Sequence, residues 1–164
     1  MKKWLCFLLC LFVVGCSRSE PTVETVTDEA VMSVSGQQNY EILVYIPNDV
    51  VSSSAPDQCG IVYRQEDGSY QYETKLFLAD TVDSAIRQIC GQESGDLTVI
   101  ETSRFGLPEY RFAWYEDGFN HRADLVQDGQ QYYALIFSTP EEMGNSCQKV
   151  MAQVFASFGI SSAV

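Results

Sequence analysis

The stretch EYRFAWYEDGFNHRADLVQDGQQYYALIFSTP, residues 109–140, decides the fold. It holds three runs rich in aromatic and apolar residues: Glu109 to Tyr115, His121 to Gln127 and Gln131 to Phe137. Between them stand Asp117-Gly118 and Asp128-Gly129, pairs that adopt the positive backbone angles of tight hairpins at little cost. Three strands joined by two such turns make an antiparallel meander. In the first strand Tyr110, Phe112 and Trp114 alternate on one face and Tyr115 falls on the other.

Outward from the meander the same grammar recurs. Ile61 to Arg64 and Tyr70 to Phe77 flank Glu66-Asp67-Gly68-Ser69, a further hairpin signal. Tyr40 to Ile46 is a strand stopped by Pro47-Asn48-Asp49, and Ser52 to Asp57 is a loop. Leu97 to Thr102 is another strand, turned by Phe105-Gly106-Leu107-Pro108. Val82, Ala85, Ile86, Ile89 and Cys90 fall at helical spacing between Asp80, a candidate N-cap, and Gly91, a candidate stop. Downstream, Thr139-Pro140-Glu141-Glu142 has the form of a capping box with Pro in the first turn. Met143, Cys147, Val150, Met151, Val154 and Phe158 then mark one face of a helix that ends at Gly159. These patterns predict an α+β fold, an antiparallel sheet of about six or seven strands covered by two helices. The C-terminal helix is expected to be the longer and the main cover.

The first residues carry an address. Lys2 and Lys3 precede an apolar run that ends in Val13-Val14-Gly15-Cys16. From Trp4 to Val14 the run is too short for a spanning helix, which needs about 20 apolar residues. It resembles a bacterial lipoprotein signal, the lipobox. That resemblance implies cleavage before an acylated Cys16, so residues 1–15 are expected to be signal peptide. Residues 16–29 would be the lipidated cysteine and a flexible tether, and 30–164 a single α+β domain. The alternative is an ordinary secretory signal with an incidental cysteine. The expected location is the outer face of the cytoplasmic membrane, in the cell envelope, with attachment through the lipid on Cys16.

A second resemblance lies at the C-terminal end. Asp128 to Pro140, followed by a helix that closes on Phe155-Ala156-Ser157-Phe158, resembles the C-terminal half of the PsbP-like α/β/α sandwich. Bacterial lipoproteins of that kind end in a strand, a Ser-x-Pro helix start and a Ser-Phe close. The match covers about 60 residues well and the earlier element order loosely. Its motifs are framework, so the resemblance implies a fold and carries over no catalytic or binding residue. Cyanobacterial and plant members serve photosystems, a role for which this sequence offers no support.

Composition narrows the chemistry. The chain carries a net charge of −12, and loss of Lys2 and Lys3 with the leader deepens it to about −14. Such a surface repels nucleic acid and anionic headgroups, so no nucleic acid partner is expected. With Cys6 and Cys10 in the leader and Cys16 acylated, Cys59, Cys90 and Cys147 remain. Their spacing fits no zinc motif. One disulfide and three buried thiols are both open. Cys90 and Cys147 are expected to face one core from their two helices.

His121 is the sole histidine. It is expected on a solvent-facing strand position, with no serine singled out as its partner. No metal or other cofactor is expected. The aromatic runs suggest a stacking platform if one sheet face is open, and a packed core if it is not. Tyr115 is the candidate exposed binding ring, and no residue is nominated as catalytic. The expected function is a lipid-anchored, non-catalytic binding or accessory module with an envelope protein, peptide or glycan as partner. The alternative is an envelope hydrolase that uses a serine and His121.

Overall fold

The computed structural model describes residues 22–26 and 40–162. The leader and Cys16 lie outside the described residues. In chain order the strands are β1 (Thr22–Val26), β2 (Tyr40–Ile46), β3 (Val50–Ser54), β4 (Gly60–Gln65), β5 (Gln71–Leu78), β6 (Ile100–Arg104), β7 (Leu107–Glu116), β8 (Phe119–Asp128), β9 (Gln131–Pro140) and β10 (Gly159–Ser162). The helices are α1 (Val82–Cys90) and α2 (Gln148–Ser157), with short 3₁₀ turns at Ser94–Asp96 and Glu141–Met143.

Seven strands form one antiparallel sheet in the order β3-β4-β5-β9-β8-β7-β6, as the turn signals require. Asp117 and Gly118 take φ values of 49° and 85°, the mirror-image turn that matches strand twist. β9 lies at the centre and all of Gln131 to Thr139 is buried, because both faces of the sheet are covered. Helix α1 packs on one face, where Ala85, Ile86 and Cys90 meet Phe112, Trp114, Leu125 and Tyr132. On the other face α2 and two strands, β2 and β10, of a separate three-stranded sheet β1-β2-β10 pack over Tyr72, Tyr133, Leu135 and Phe137. Leu135 and Phe137 each contribute about 1.5–3 kcal/mol by leaving water.

Several sequence expectations are corrected. Thr22–Val26, assigned to the tether, is a strand paired with β2, so ordered structure begins before Ala30. β2 belongs to the small sheet. Val50–Ser54, partly assigned to a loop, pairs with β4; pairing outweighs the weak strand preference of three serines. The helix foreseen from Thr139 begins only at Gln148. His121 and Asn120 pair with Ser138 and Thr139, and Glu141 N–H donates to Gly118 O at 3.0 Å. The ladder to β8 therefore takes the residues that a capping box would use. The helix expected to end at Gly159 ends at Ser157, and Gly159 opens β10, which pairs with β2.

α1 forms where foreseen, with Thr81 rather than Asp80 as N-cap. Thr81 and Ser84 complete a reciprocal capping box, and Gly91 closes the helix in the left-handed conformation. Cys90 and Cys147 are both buried, yet on opposite faces of the main sheet. They do not share a core. Cys90 and Cys147 are both free thiols, and burial pushes the Cys90 thiol up from its ordinary pKa.

Candidate functional site

The hairpin registers bring one row of side chains across the α1 side of the sheet. Arg64 stands opposite Gln71, Gln71 opposite Ser138, Ser138 opposite His121 and His121 opposite Trp114. Each residue comes from a different strand, so their spacing is set by the sheet. His121 Nδ1 lies 2.8 Å from Ser138 Oγ. The ring stacks on Trp114 with centroids 4.7 Å apart and planes 13° from parallel. Phe119 tilts against it with ring centroids 6.2 Å apart.

His121 is therefore half-buried, in place of the solvent-facing position expected. Trp114 is its shelf and Ser138 its partner. Burial is the largest influence on the ring and lowers its pKa, against the opposing pull of Glu116. A cleft of about 160 Å³ opens beside Ser138, lined by Arg64, Gln71, Tyr70, Phe119 and Pro140 among others. Ligand pockets run to about 300–1,000 Å³, so this cleft admits a small group at most. Ser138 itself is only 6% exposed.

The lowered pKa has a testable sign. An unfolded histidine takes up its proton before the folded one does, so the ring's contribution is complete above the ordinary value of 6.5. It is lost as pH falls through the folded value. His121→Gln is expected to flatten the decline of the urea midpoint between about pH 7.5 and pH 5 relative to the parent chain. Parallel pH curves for the two proteins would show that the ring is not sheltered as described.

The aromatic platform is not assembled. Tyr110, Phe112 and Trp114 lie on the α1 face with Tyr132, whereas Tyr133 lies on the opposite face with Tyr40 and Val126. Phe112 and Trp114 are packed core. Tyr115 is 54% exposed, and its hydroxyl donates to Glu141 Oε2 at 3.0 Å. That bond, with the charge on Glu141, raises the phenol's pKa.

Sequence reasoning missed an ionic cluster on the α2 side of β6, β7 and β8. Glu109 and Asp124 are 0% and 1% exposed. Arg104 Nε reaches Glu109 Oε1 at 2.5 Å, Arg111 Nη2 reaches Glu109 Oε2 at 2.7 Å and Arg122 Nη2 reaches Asp124 Oδ1 at 3.3 Å. Arg104 Nη2 and Arg111 Nε both stand 3.5 Å from Asp124 Oδ2. Arg104 also donates to the Phe158 carbonyl, which ties the β6–β7 hairpin to the end of α2. The Arg122 guanidinium lies 3.9 Å from the centre of the Phe155 ring. Burial, the largest influence, raises the pKa of Asp124 in spite of Arg122 and Arg111.

Only part of this was within reach of the sequence. A two-residue turn at Asp117-Gly118 fixes Trp114 opposite His121 and Arg111 opposite Asp124. The next turn then fixes His121 opposite Ser138. Counting register through Asp117-Gly118 would have paired the charges, but the second loop is Gly129-Gln130, so the same count through Asp128-Gly129 would have set His121 opposite Ile136 and missed the serine.

The described residues contain no group of three or more His, Cys, Asp or Glu placed to hold a metal ion. The sequence matches no protein-family model and no curated protein. Among solved structures, the chain is similar to the cyanobacterial PsbP protein (CyanoP) of Synechocystis sp. PCC 6803. The TM-score is 0.54 at 10% identity, over 80% of this chain and 99% of that one. A protein from Bacteroides thetaiotaomicron VPI-5482 aligns with a TM-score of 0.45 at 14% identity, over 75% of this chain and 45% of the other. At these identities the first likeness speaks for the fold, and the chain has the PsbP-like α+β fold.

Proposed function

We propose that this chain is a lipid-anchored lipoprotein of the cell envelope and that its domain is an accessory module that binds its partner without converting it. The anchor rests on Val13-Val14-Gly15-Cys16 and the charged start before it. The domain's role rests on one observation: the convergent polar groups are spent largely on the fold itself. His121 is held between Trp114, Phe119 and Ser138, and the two buried acids are shared among three arginines. The likeness to CyanoP is compatible with such a module and carries no ligand across.

A second reading, an envelope hydrolase, is favoured by the 2.8 Å contact between His121 and Ser138 beside a cleft. Against it stands the near-complete burial of Ser138 and the absence, among the described residues, of a carboxylate hydrogen-bonded to the ring. Two measurements decide. Cys16→Ser is expected to move the protein out of the membrane fraction or leave it unprocessed, and a mutant that matures and fractionates like the parent sinks the anchor. A turnover assay on envelope peptides and glycans is expected to be silent. A signal that disappears with Ser138→Ala or His121→Ala establishes the hydrolase instead.

A further inference from the structure

Among the described residues, the α2 face of the main sheet is only partly covered. Beyond α2, the outer strands present Ile100 on β6, Arg111, Ala113 and Tyr115 on β7, and Arg122 and Asn120 on β8. Register places Ile100 opposite Arg111, Ala113 opposite Arg122 and Tyr115 opposite Asn120. Ala113 is exposed, and so are Ile100 at 59% and Tyr115 at 54%. The small Ala113 leaves a shallow floor between Arg111 and Arg122, with Ile100 and Tyr115 as apolar walls.

The two guanidiniums are fixed from beneath. Arg111 spends Nη2 on Glu109, while its Nε lies near Asp124; Arg122 spends one Nη2 contact on Asp124 and lays its plane over Phe155. The other N–H groups, Nη1 of Arg111 and both Nε and Nη1 of Arg122, have no partner among the described residues. The two side chains are 40% and 36% exposed. Most of the entropy cost of presenting a guanidinium is thus met in folding, which leaves donors ready for a planar anion. Glu141, held by Tyr115, bounds the patch on its far side.

We infer that this patch docks a short acidic segment of a partner protein, one carboxylate seated between Arg111 and Arg122 and an apolar neighbour against Ile100 or Tyr115. Two observations select that chemistry. Each arginine already holds a buried carboxylate, Arg111 that of Glu109 and Arg122 that of Asp124, so their geometry suits a carboxylate. The net charge of −12 repels extended polyanions and anionic membranes at long range, whereas one or two acids on a peptide meet only the local field. This inference rests on the proposed role as a binding module. It is independent of the anchor, which membrane fractionation tests without reference to the patch.

The test is fluorescence anisotropy with the full chain in detergent and a labelled peptide of alternating glutamate and leucine, set against its glutamine counterpart. The glutamate peptide is expected to bind at least about tenfold more tightly and to weaken with salt. Arg122→Gln is expected to lower affinity about tenfold, with a melting curve run beside it. Ala113→Glu keeps the whole ionic cluster and puts the chain's own carboxylate on the floor. It is expected to abolish binding without lowering the melting temperature. Equal binding of both peptides, or full binding by a folded Ala113→Glu protein, overturns the inference. So does tighter binding to phosphatidylglycerol vesicles that Ala113→Glu removes, which would make the patch a membrane contact.

Discussion

Asp124→Ala is expected to lower the unfolding free energy by about 3–5 kcal/mol, the cost of stranding buried charge. Asp124 is 1% exposed and meets Arg104, Arg111 and Arg122 at once. Without it Arg104 and Arg111 keep only Glu109, one on each carboxylate oxygen, and Arg122 keeps only its place over Phe155. The loss travels, because Arg104 also holds the Phe158 carbonyl where α2 passes into β10. Asp124→Asn retains shape and an acceptor, so it is expected to cost less, about 1–3 kcal/mol. Urea titrations of the three proteins measure the difference. A loss below about 1 kcal/mol for Asp124→Ala would show that water solvates the arginines and that the cluster is not a buried network.

The cluster itself contributes less than its contacts suggest. Burial opposes ionisation of Asp124 even among three cations, and an apolar core of equal volume would serve stability as well. What the charges add is direction. They hold one hairpin to one helix end in a single register, and they leave two guanidiniums facing outward. With an acidic segment docked between Arg111 and Arg122, stability and recognition draw on the same carboxylates.

How much of this was legible follows from where the information sits along the chain. The meander was readable because Asp117-Gly118 and Asp128-Gly129 are local signals, and α1 because Gly91 and its apolar face are local too. β3 and β10 were missed because Val50–Ser54 and Gly159–Ser162 are short and serine-rich; β3 becomes a strand only by pairing with β4, and β10 only through β2, a partner distant in sequence. The start of α2 was misplaced for a related reason. Thr139-Pro140-Glu141-Glu142 has the composition of a cap, yet the ladder from His121 and Asn120 reaches it first. His121 was expected in solvent because alternation shows only which face a residue takes. Whether that face is sheltered depends on Trp114 and Ser138 in neighbouring strands.

Gly60 offers the second large effect, and it has nothing to do with backbone angles. β4 runs so close to β5 at this point that a Cβ on Gly60 would lie 1.8 Å from the Thr74 carbonyl oxygen, a distance no side chain tolerates. The obstruction is backbone on both sides. Gly60 O accepts from Ala55 N–H at 2.9 Å, and Cys59 O accepts from Leu76 N–H at 2.9 Å, so neither strand is free to retreat. Separating them would break the β4–β5 ladder near Lys75, uncover Val62 and pull apart the ion pair of Lys75 with Asp57. Gly60→Ala is therefore expected to cost at least about 3 kcal/mol, above the usual range for overpacking because backbone must move. Gly95 supplies the control: it is exposed in the 3₁₀ turn after α1, and a Cβ there meets nothing within 4 Å. Gly95→Ala is expected to be neutral or to gain up to about 1 kcal/mol through the unfolded state. Equal denaturation midpoints for the two variants would mean that β4 and β5 are not in contact at Gly60. The seven-stranded sheet would then have to be divided between β4 and β5.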